Sequence, residues 1–201
     1  KITDHYHSIK DLIDSPEVKK LFMKLNKKQI LFKDKLNFKF PNGEGFLPHL
    51  DGHFYWKKNE NHKFKKGWKI YSKNFTNLAI HLEDSNKKNG CLYIASKNDT
   101  RKLGTTWELI TNKLALNTPN IKKKDLKNFR FFPLEVSTGD IIIFDWMCCH
   151  YSKKNNSNKS RMILYLTYCD KEKKDVRQKY YSDRKISKTN ISYKSGIYTN
   201  R

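Results

Sequence analysis

The chain has 201 residues, with 42 Lys+Arg against 20 Asp+Glu and a net charge of +22. That length accommodates one domain with a sizeable core, and 13% aromatic residues argue against disorder although only 37% of the chain is hydrophobic. No window approaches the apolar length of a membrane-spanning helix. No N-terminal stretch reads as a signal peptide, although the chain begins at Lys1 rather than Met, which leaves a leader or domain start unaccounted for.

Lysine supplies 36 of the 42 cations and arginine only 6, while asparagine reaches 19. AT-rich coding explains part of this bias, but such coding would raise Glu as well. Specific readers of nucleic acid lean on the bidentate arginine fork, which is scarce here. Nucleic acid is therefore expected only as a non-specific electrostatic partner. The cysteines, Cys91, Cys148, Cys149 and Cys169, fit no zinc spacing, and adjacent Cys148 and Cys149 make an unlikely disulfide. Reduced thiols in an intracellular, cytoplasmic protein are expected.

In chain order, residues 8–28 read as helical, with Ser15-Pro16-Glu17 as cap, first-turn proline and first-turn acid. Val18, Leu21, Phe22 and Leu25 fall on one helical face. From Gln29 the period becomes two: Leu36, Phe38 and Phe40 alternate with Lys35, Asn37 and Lys39, as in a half-buried strand with a polar second face. Pro41-Asn42-Gly43 ends it. Further strands are expected at Trp68–Ser72, Phe75–Leu82, Cys91–Ala95, Phe129–Leu134, Ile141–Trp146 and Arg161–Cys169. Glu83–Gly90 and Ser137–Asp140 read as turns, and Thr105–Leu116 as a short helix before a loop carrying Lys122, Lys123 and Lys124. The stretch 57–66 and the tail from Lys171 read as solvated and charged. Regularly spaced short strands point to a mainly β fold with flanking helices, a sandwich or jelly roll. One domain over 1–201 is expected, with a helical part at about 1–28, a β core at about 29–169 and a polar tail at 170–201.

Three segments carry candidate chemistry. In Gly45–Asp51 the H-x-D spacing puts His49 and Asp51 on one face of an extended segment, and imidazole plus carboxylate supply two members of a 2-His-1-carboxylate metal set. In Gly139–Ser152 a turn feeds a continuously apolar strand that runs toward His150, which taken alone also fits a satisfied core histidine. In the third segment Arg161 opens the apolar strand eleven residues after His150, with no acidic residue close in sequence. A buried arginine needs an anion, so a ligand carboxylate is an attractive partner.

The ordered combination of H-x-D, a long interval, then G-D, an apolar strand, H-x-S and Arg at +11 resembles the phytanoyl-CoA dioxygenase superfamily. Leu31–Lys39 resembles the strand that precedes H-x-D in that family. His81-Leu82-Glu83-Asp84 with Asn89-Gly90-Cys91-Leu92 resembles its hairpin, and Tyr180–Arg184 resembles a tail motif. The resemblance spans roughly 31–184. It implies a double-stranded β-helix (cupin-like jelly roll) and a hydroxylase dependent on Fe(II), 2-oxoglutarate and O2. Carried over by position, it implies His49, Asp51 and His150 as iron ligands. Arg161 and Ser152 would hold the distal carboxylate of 2-oxoglutarate, with Asn37 and Lys35 as further cosubstrate contacts. Asp51 at the carboxylate position points to hydroxylation rather than halogenation. His53, Tyr55, Trp56, His81 and Lys39 are candidate substrate contacts around a small molecule, anionic on one reading. Leu50 stands where the family commonly has Gln, and Ala95-Ser96-Lys97-Asn98 replaces its usual Gly-Ser-His; both departures bear on substrate contacts. The competing expectations are an inactive binding protein on the same fold and a basic nucleic-acid-binding module.

Overall fold

A computed structural model describes residues 1–25, 28–52, 55–56, 65–102, 121, 123–170 and 175–189, with the backbone alone at 55–56, 65–66 and 185–189. Helices α1 (His7–Asp14) and α2 (Pro16–Lys24) replace the single expected helix, because Ser15 takes extended backbone angles between them. The Ser15 hydroxyl accepts from Val18 N at 3.3 Å, and Pro16 and Glu17 fill the first turn, as the sequence predicts.

The strands are β1 (Gln29–Lys39), β2 (Phe46–His49), β3 (Tyr55–Trp56), β4 (Lys65–Lys66), β5 (Phe75–His81), β6 (Leu92–Ile94), β7 (Phe132–Leu134), β8 (Ile141–Asp145), β9 (His150–Ser152) and β10 (Arg161–Asp170). They form two antiparallel four-stranded sheets, in the orders β1-β10-β5-β8 and β2-β9-β6-β7, and a small β3-β4 ribbon. This is the expected jelly-roll arrangement. Helix α3 (Lys97–Lys102) follows β6, and α4 (Val176–Thr189) follows β10. No helix among the described residues is long and apolar enough to cross a membrane.

Register decides what the larger sheet turns inward. Directly paired residues share a face. The pairs Lys39↔Arg161, Asn37↔Ile163↔His81, Lys35↔Tyr165↔Ala79↔Ile142 and Thr167↔Asn77↔Phe144 therefore form successive rows across one face. Ile163, Ala79, Phe144 and Leu92 of the other sheet cluster together, so that face is the interior. The opposite face is covered by the N-terminal helices: Val18 and Phe22 pack on Leu78, Ile80, Leu164, Leu166 and Tyr168.

The alternation in β1 resolves with its polar side inward, the side on which the family resemblance places Lys35 and Asn37. A register shift between Leu31 and Lys33 sets the inward set as Lys35, Asn37 and Lys39, while Leu36 (38%) and Phe38 (43%) lie on the exposed side with Phe40 beyond them. The polar face is the interior one because the interior holds the site.

Trp68–Ser72 is not a strand. Trp68–Ile70 makes a 3-10 turn, which sends Trp68 and Tyr71 together into an aromatic cluster with Phe32, Phe75, Trp146 and Tyr180. The turn is anchored where Trp68 N donates to Gly52 O at 3.0 Å, and a Cβ on Gly52 (φ +72°) would lie 2.6 Å from the indole. Of 129–134 only Phe132–Leu134 pairs as a strand. The tail is not simply solvated: Val176 and Tyr180 of α4 are buried in the aromatic cluster. Arg177 reaches Asp34 Oδ1 at 2.7 Å, where Tyr181 Oη also donates at 3.0 Å. The expected helix Thr105–Leu116 and the stretch 57–64 lie outside the described residues, as do Lys122 and Lys171–Lys174.

Candidate metal centre

His49, Asp51 and His150 come together, each offering a ligand atom within 4.8 Å of the others. Three elements deliver them. His49 ends β2, Asp51 sits in the turn that follows it, and His150 opens β9 directly opposite His49. The H-x-D pair thus meets through a strand end and a turn rather than along one continuous strand. Leu50 between them is buried at 3% in a separate apolar cluster, which turns its two neighbours toward the interior.

The imidazoles are oriented by backbone. His49 Nδ1 lies 2.7 Å from Leu47 O and His150 Nδ1 lies 3.0 Å from Cys148 O. A carbonyl only accepts, so Nδ1 donates in both rings, which leaves Nε2 as the nitrogen each can offer to a metal. His150 Nε2 points at Asp51 Oδ2, 3.8 Å away, and the two ring centroids are 4.4 Å apart. Burial, then the neighbouring His150, pushes His49 down to about 4. Burial acting upward on Asp51 is outweighed by His150, His49, Lys33 and Lys35, so its carboxyl stays below the ordinary value. Two imidazoles with Nδ1 engaged by backbone and one carboxylate, their ligand atoms converging, are a donor set that suits a divalent transition metal.

The carboxylate has its own support. Asn77 Nδ2 donates to Asp51 Oδ2 at 2.8 Å, and Asn77 Oδ1 accepts from Thr167 Oγ1 at 2.8 Å. Both residues are buried in one interior row. Neither was singled out from sequence, although an asparagine inside the apolar run of β5 was a visible signal, as His81 was.

Farther along the interior the lining becomes cationic. Arg161 is 1% exposed; its Nη1 donates to Gly90 O at 2.7 Å, and its Nε has no partner among the described residues. Among the described residues no carboxylate pairs with it. Lys39, 4% exposed, donates from Nζ to Ser152 Oγ at 2.9 Å and to Lys153 O at 2.6 Å. Burial, then Arg161, pushes Lys39 down to about 7. Gly90 (φ +75°) lets this corner close, since a Cβ there would sit 2.4 Å from Lys153 O and 3.1 Å from Lys39 Nζ. A buried guanidinium with an orphaned donor, beside a second buried cation, is a cradle for an anion.

The remaining predicted residues divide. Ser152 and Asn37 line the cationic end, and Lys39 joins them there rather than at a substrate mouth. Lys35 lies nearer the triad, more than a third accessible, with Nζ 5.2 Å from the Phe46 ring; burial of its amine and then Lys33 push it down to about 8 against the pull of Asp51. His81 is fully buried beside Arg161. His53 lies outside the described residues, and of Tyr55 and Trp56 only the backbone is described, so their substrate roles rest on sequence. All four cysteines are free, three of them buried, as expected.

Comparison with known proteins agrees with this architecture. The sequence model of the family described as "Phytanoyl-CoA dioxygenase (PhyH)" matches residues 4–163. A "2-aminoethylphosphonate dioxygenase" from Uncultured bacterium HF130_AEPn_1 is 26% identical over 183 residues, covering 90% of this chain and 62% of its own length. A "Methylphosphonate hydroxylase" from Gimesia maris is 26% identical over 168 residues, covering 83% of this chain and 55% of its own length. The chain therefore spans less than two thirds of the length of these relatives. In structure, the epimerase SnoN in complex with Fe3+, alpha ketoglutarate and nogalamycin RO superposes with a TM-score of 0.59 at 13% identity, covering 84% of this chain and 61% of that one. At that identity the likeness is one of fold.

Proposed function

The chain belongs to the phytanoyl-CoA dioxygenase family, and from that premise we propose that it is an Fe(II)- and 2-oxoglutarate-dependent dioxygenase that hydroxylates a small anionic molecule. The observation that carries this reading is the pairing of a preformed His49-Asp51-His150 donor set with a buried Arg161 that meets no carboxylate among the described residues, in one interior. When bound together, Fe(II) and 2-oxoglutarate supply an oxidative decarboxylation that activates O2 and yields succinate, CO2 and a hydroxylated product.

The protein's own residues divide the remaining work. His49 and His150 offer Nε2 to the metal because Leu47 O and Cys148 O engage their Nδ1 atoms. Three protein ligands leave coordination positions for cosubstrate and O2. Arg161 binds the distal carboxylate of 2-oxoglutarate by a charge-assisted contact that also supplies the anion its buried charge lacks. Ser152 and Lys39 sit at that end, and Lys39, already close to neutrality, regains its proton as the dianion enters. Asn37 lines the same interior face.

Lys35, nearer Asp51 and more accessible, is the group offered to an anionic substrate. The phosphonates named for two relatives support an anionic class. The same reading takes the chain as one catalytic domain in a reducing intracellular compartment, with nucleic acid bound only through its net charge of +22.

The test is an anaerobic titration with Fe(II) and then 2-oxoglutarate, followed by succinate release across matched anionic and neutral small molecules, phosphonates included. No metal-dependent binding of 2-oxoglutarate would sink the oxygenase reading. Stimulation by neutral compounds alone would sink the anionic substrate and leave the rest standing.

A further inference from the structure

His81 is the last residue of β5, on the same interior row as Ile163 and Asn37. It is 0% exposed, and among the described residues neither Nδ1 nor Nε2 has a hydrogen-bond partner. Arg161, one residue pair farther along on the same face, is equally buried and also carries an orphaned nitrogen. Two buried polar groups left unsatisfied side by side are costly, and such a pair calls for a shared ligand rather than a packing explanation. No carboxylate ion-pairs with either among the described residues. Asp140, the acid that influences the imidazole, has its Oδ2 engaged by Ser137 N at 2.8 Å. Burial and then the Arg161 charge hold His81 down to about 4, so the ring is neutral near pH 7 and has one N–H to give.

We propose that His81 is a selectivity residue of the cosubstrate pocket: its ring N–H donates to the distal carboxylate held by Arg161, and the ring closes the interior behind that carboxylate. This rests on the oxygenase reading. A neutral imidazole adds a hydrogen bond without adding a third buried charge to Arg161 and Lys39. Its bulk limits the length of the 2-oxo diacid, so 2-oxoglutarate is accepted and its homologue longer by one methylene, 2-oxoadipate, is rejected.

The experiment measures dissociation constants of 2-oxoglutarate and 2-oxoadipate on the anaerobic Fe(II)-loaded chain, for the unmodified protein, His81→Ala and His81→Asn. Losing a hydrogen bond to a charged group is expected to weaken 2-oxoglutarate binding about 10-fold or more in His81→Ala. Removing the ring shifts the preference between the two diacids toward 2-oxoadipate by about 10-fold, the scale at which a pocket discriminates one methylene. His81→Asn, which keeps a donor, recovers part of the 2-oxoglutarate affinity. Fe(II) affinity and the melting temperature of each variant register whether the site and fold survive. If His81→Ala and His81→Asn both bind 2-oxoglutarate as the unmodified chain does, with the same diacid preference, the His81 role is overturned and the oxygenase reading stands. If the unmodified chain itself binds no 2-oxoglutarate, both fall.

Discussion

Asn77 is hydrogen-bonded on both ends of its amide: it donates to Asp51 Oδ2 and accepts from Thr167 Oγ1, each at 2.8 Å. The two contacts fix which end of the amide is which, because a hydroxyl donating to oxygen leaves the nitrogen for the carboxylate. They also tie the turn that carries Asp51 to the central strands of the larger sheet. Asn77→Leu is expected to lower Fe(II) affinity about 10- to 100-fold, the usual effect of removing a residue that orients a metal ligand. Anaerobic metal titration checks it; unchanged affinity would mean that Asp51 is held by other groups.

Replacing His49, Asp51 or His150 by Ala should abolish Fe(II) binding while the fold persists. The ligands sit between the sheets without carrying the main apolar clusters. The metal-free His49→Ala protein should melt no lower than the parent, since it removes one of two imidazoles 4.4 Å apart that had been desolvated together. A melt and a metal titration on the same sample decide both points.

Arg161→Met should remove the carboxylate anchor. Loss of a desolvated charge partner is expected to cost about 2–5 kcal/mol of 2-oxoglutarate binding. Fe(II) binding should be nearly unaffected, because Arg161 touches Gly90 O and none of the three ligands. Equal saturation by 2-oxoglutarate in both proteins would place the anchor elsewhere.

The cationic interior should leave a signature in the pH dependence of stability. Lys39 is pushed down to about 7 from its ordinary 10.5, by burial and by Arg161 against the weaker pull of Cys91 and Glu44. The unfolded chain therefore binds more protons between those values, and the contribution of Lys39 to stability is full above 10.5 and is lost as pH falls toward 7. His81, at about 4 against 6.5 and facing Arg161 and Asp140, acts with the same sign between those lower values. Bound 2-oxoglutarate opposes both shifts, so its stabilising effect should be larger near neutrality than at alkaline pH. Melting temperatures with and without 2-oxoglutarate across that range measure it; a constant ligand effect would contradict the assignment.

The C-terminal helix should prove part of the folded core. The Asp34 side chain is fully buried and is held by Arg177 Nη1 at 2.7 Å, Tyr181 Oη at 3.0 Å and the backbone N–H of Ile2 and Thr3. Arg177→Ala leaves that carboxylate without its cation and should cost about 3 kcal/mol in denaturant unfolding, the lower end for a broken buried pair. A change near zero would mean that the backbone donors suffice.

The three residues that converge at the candidate metal centre were legible in the sequence through their order rather than singly: H-x-D alone and a histidine after an apolar strand alone each fit a bland reading, and only the ordered set with Arg161 resembled a family. The strands β5, β8 and β10 were legible as short runs dominated by β-branched and aromatic residues between turn signals. The period of β1 left open which face is inside; the family resemblance placed Asn37 and Lys35 at the cosubstrate, and the register against β10 turns that face inward. Tertiary structure alone decided that Trp68–Ile70 winds into a turn, because burying Trp68 and Tyr71 in one aromatic cluster outweighs the local strand preference of those residues. Asn77 and Thr167 lie 90 positions apart and acquire meaning only where strand pairing brings them into one interior. Local composition records what a residue can do; antiparallel pairing between distant strands determines what it does it to.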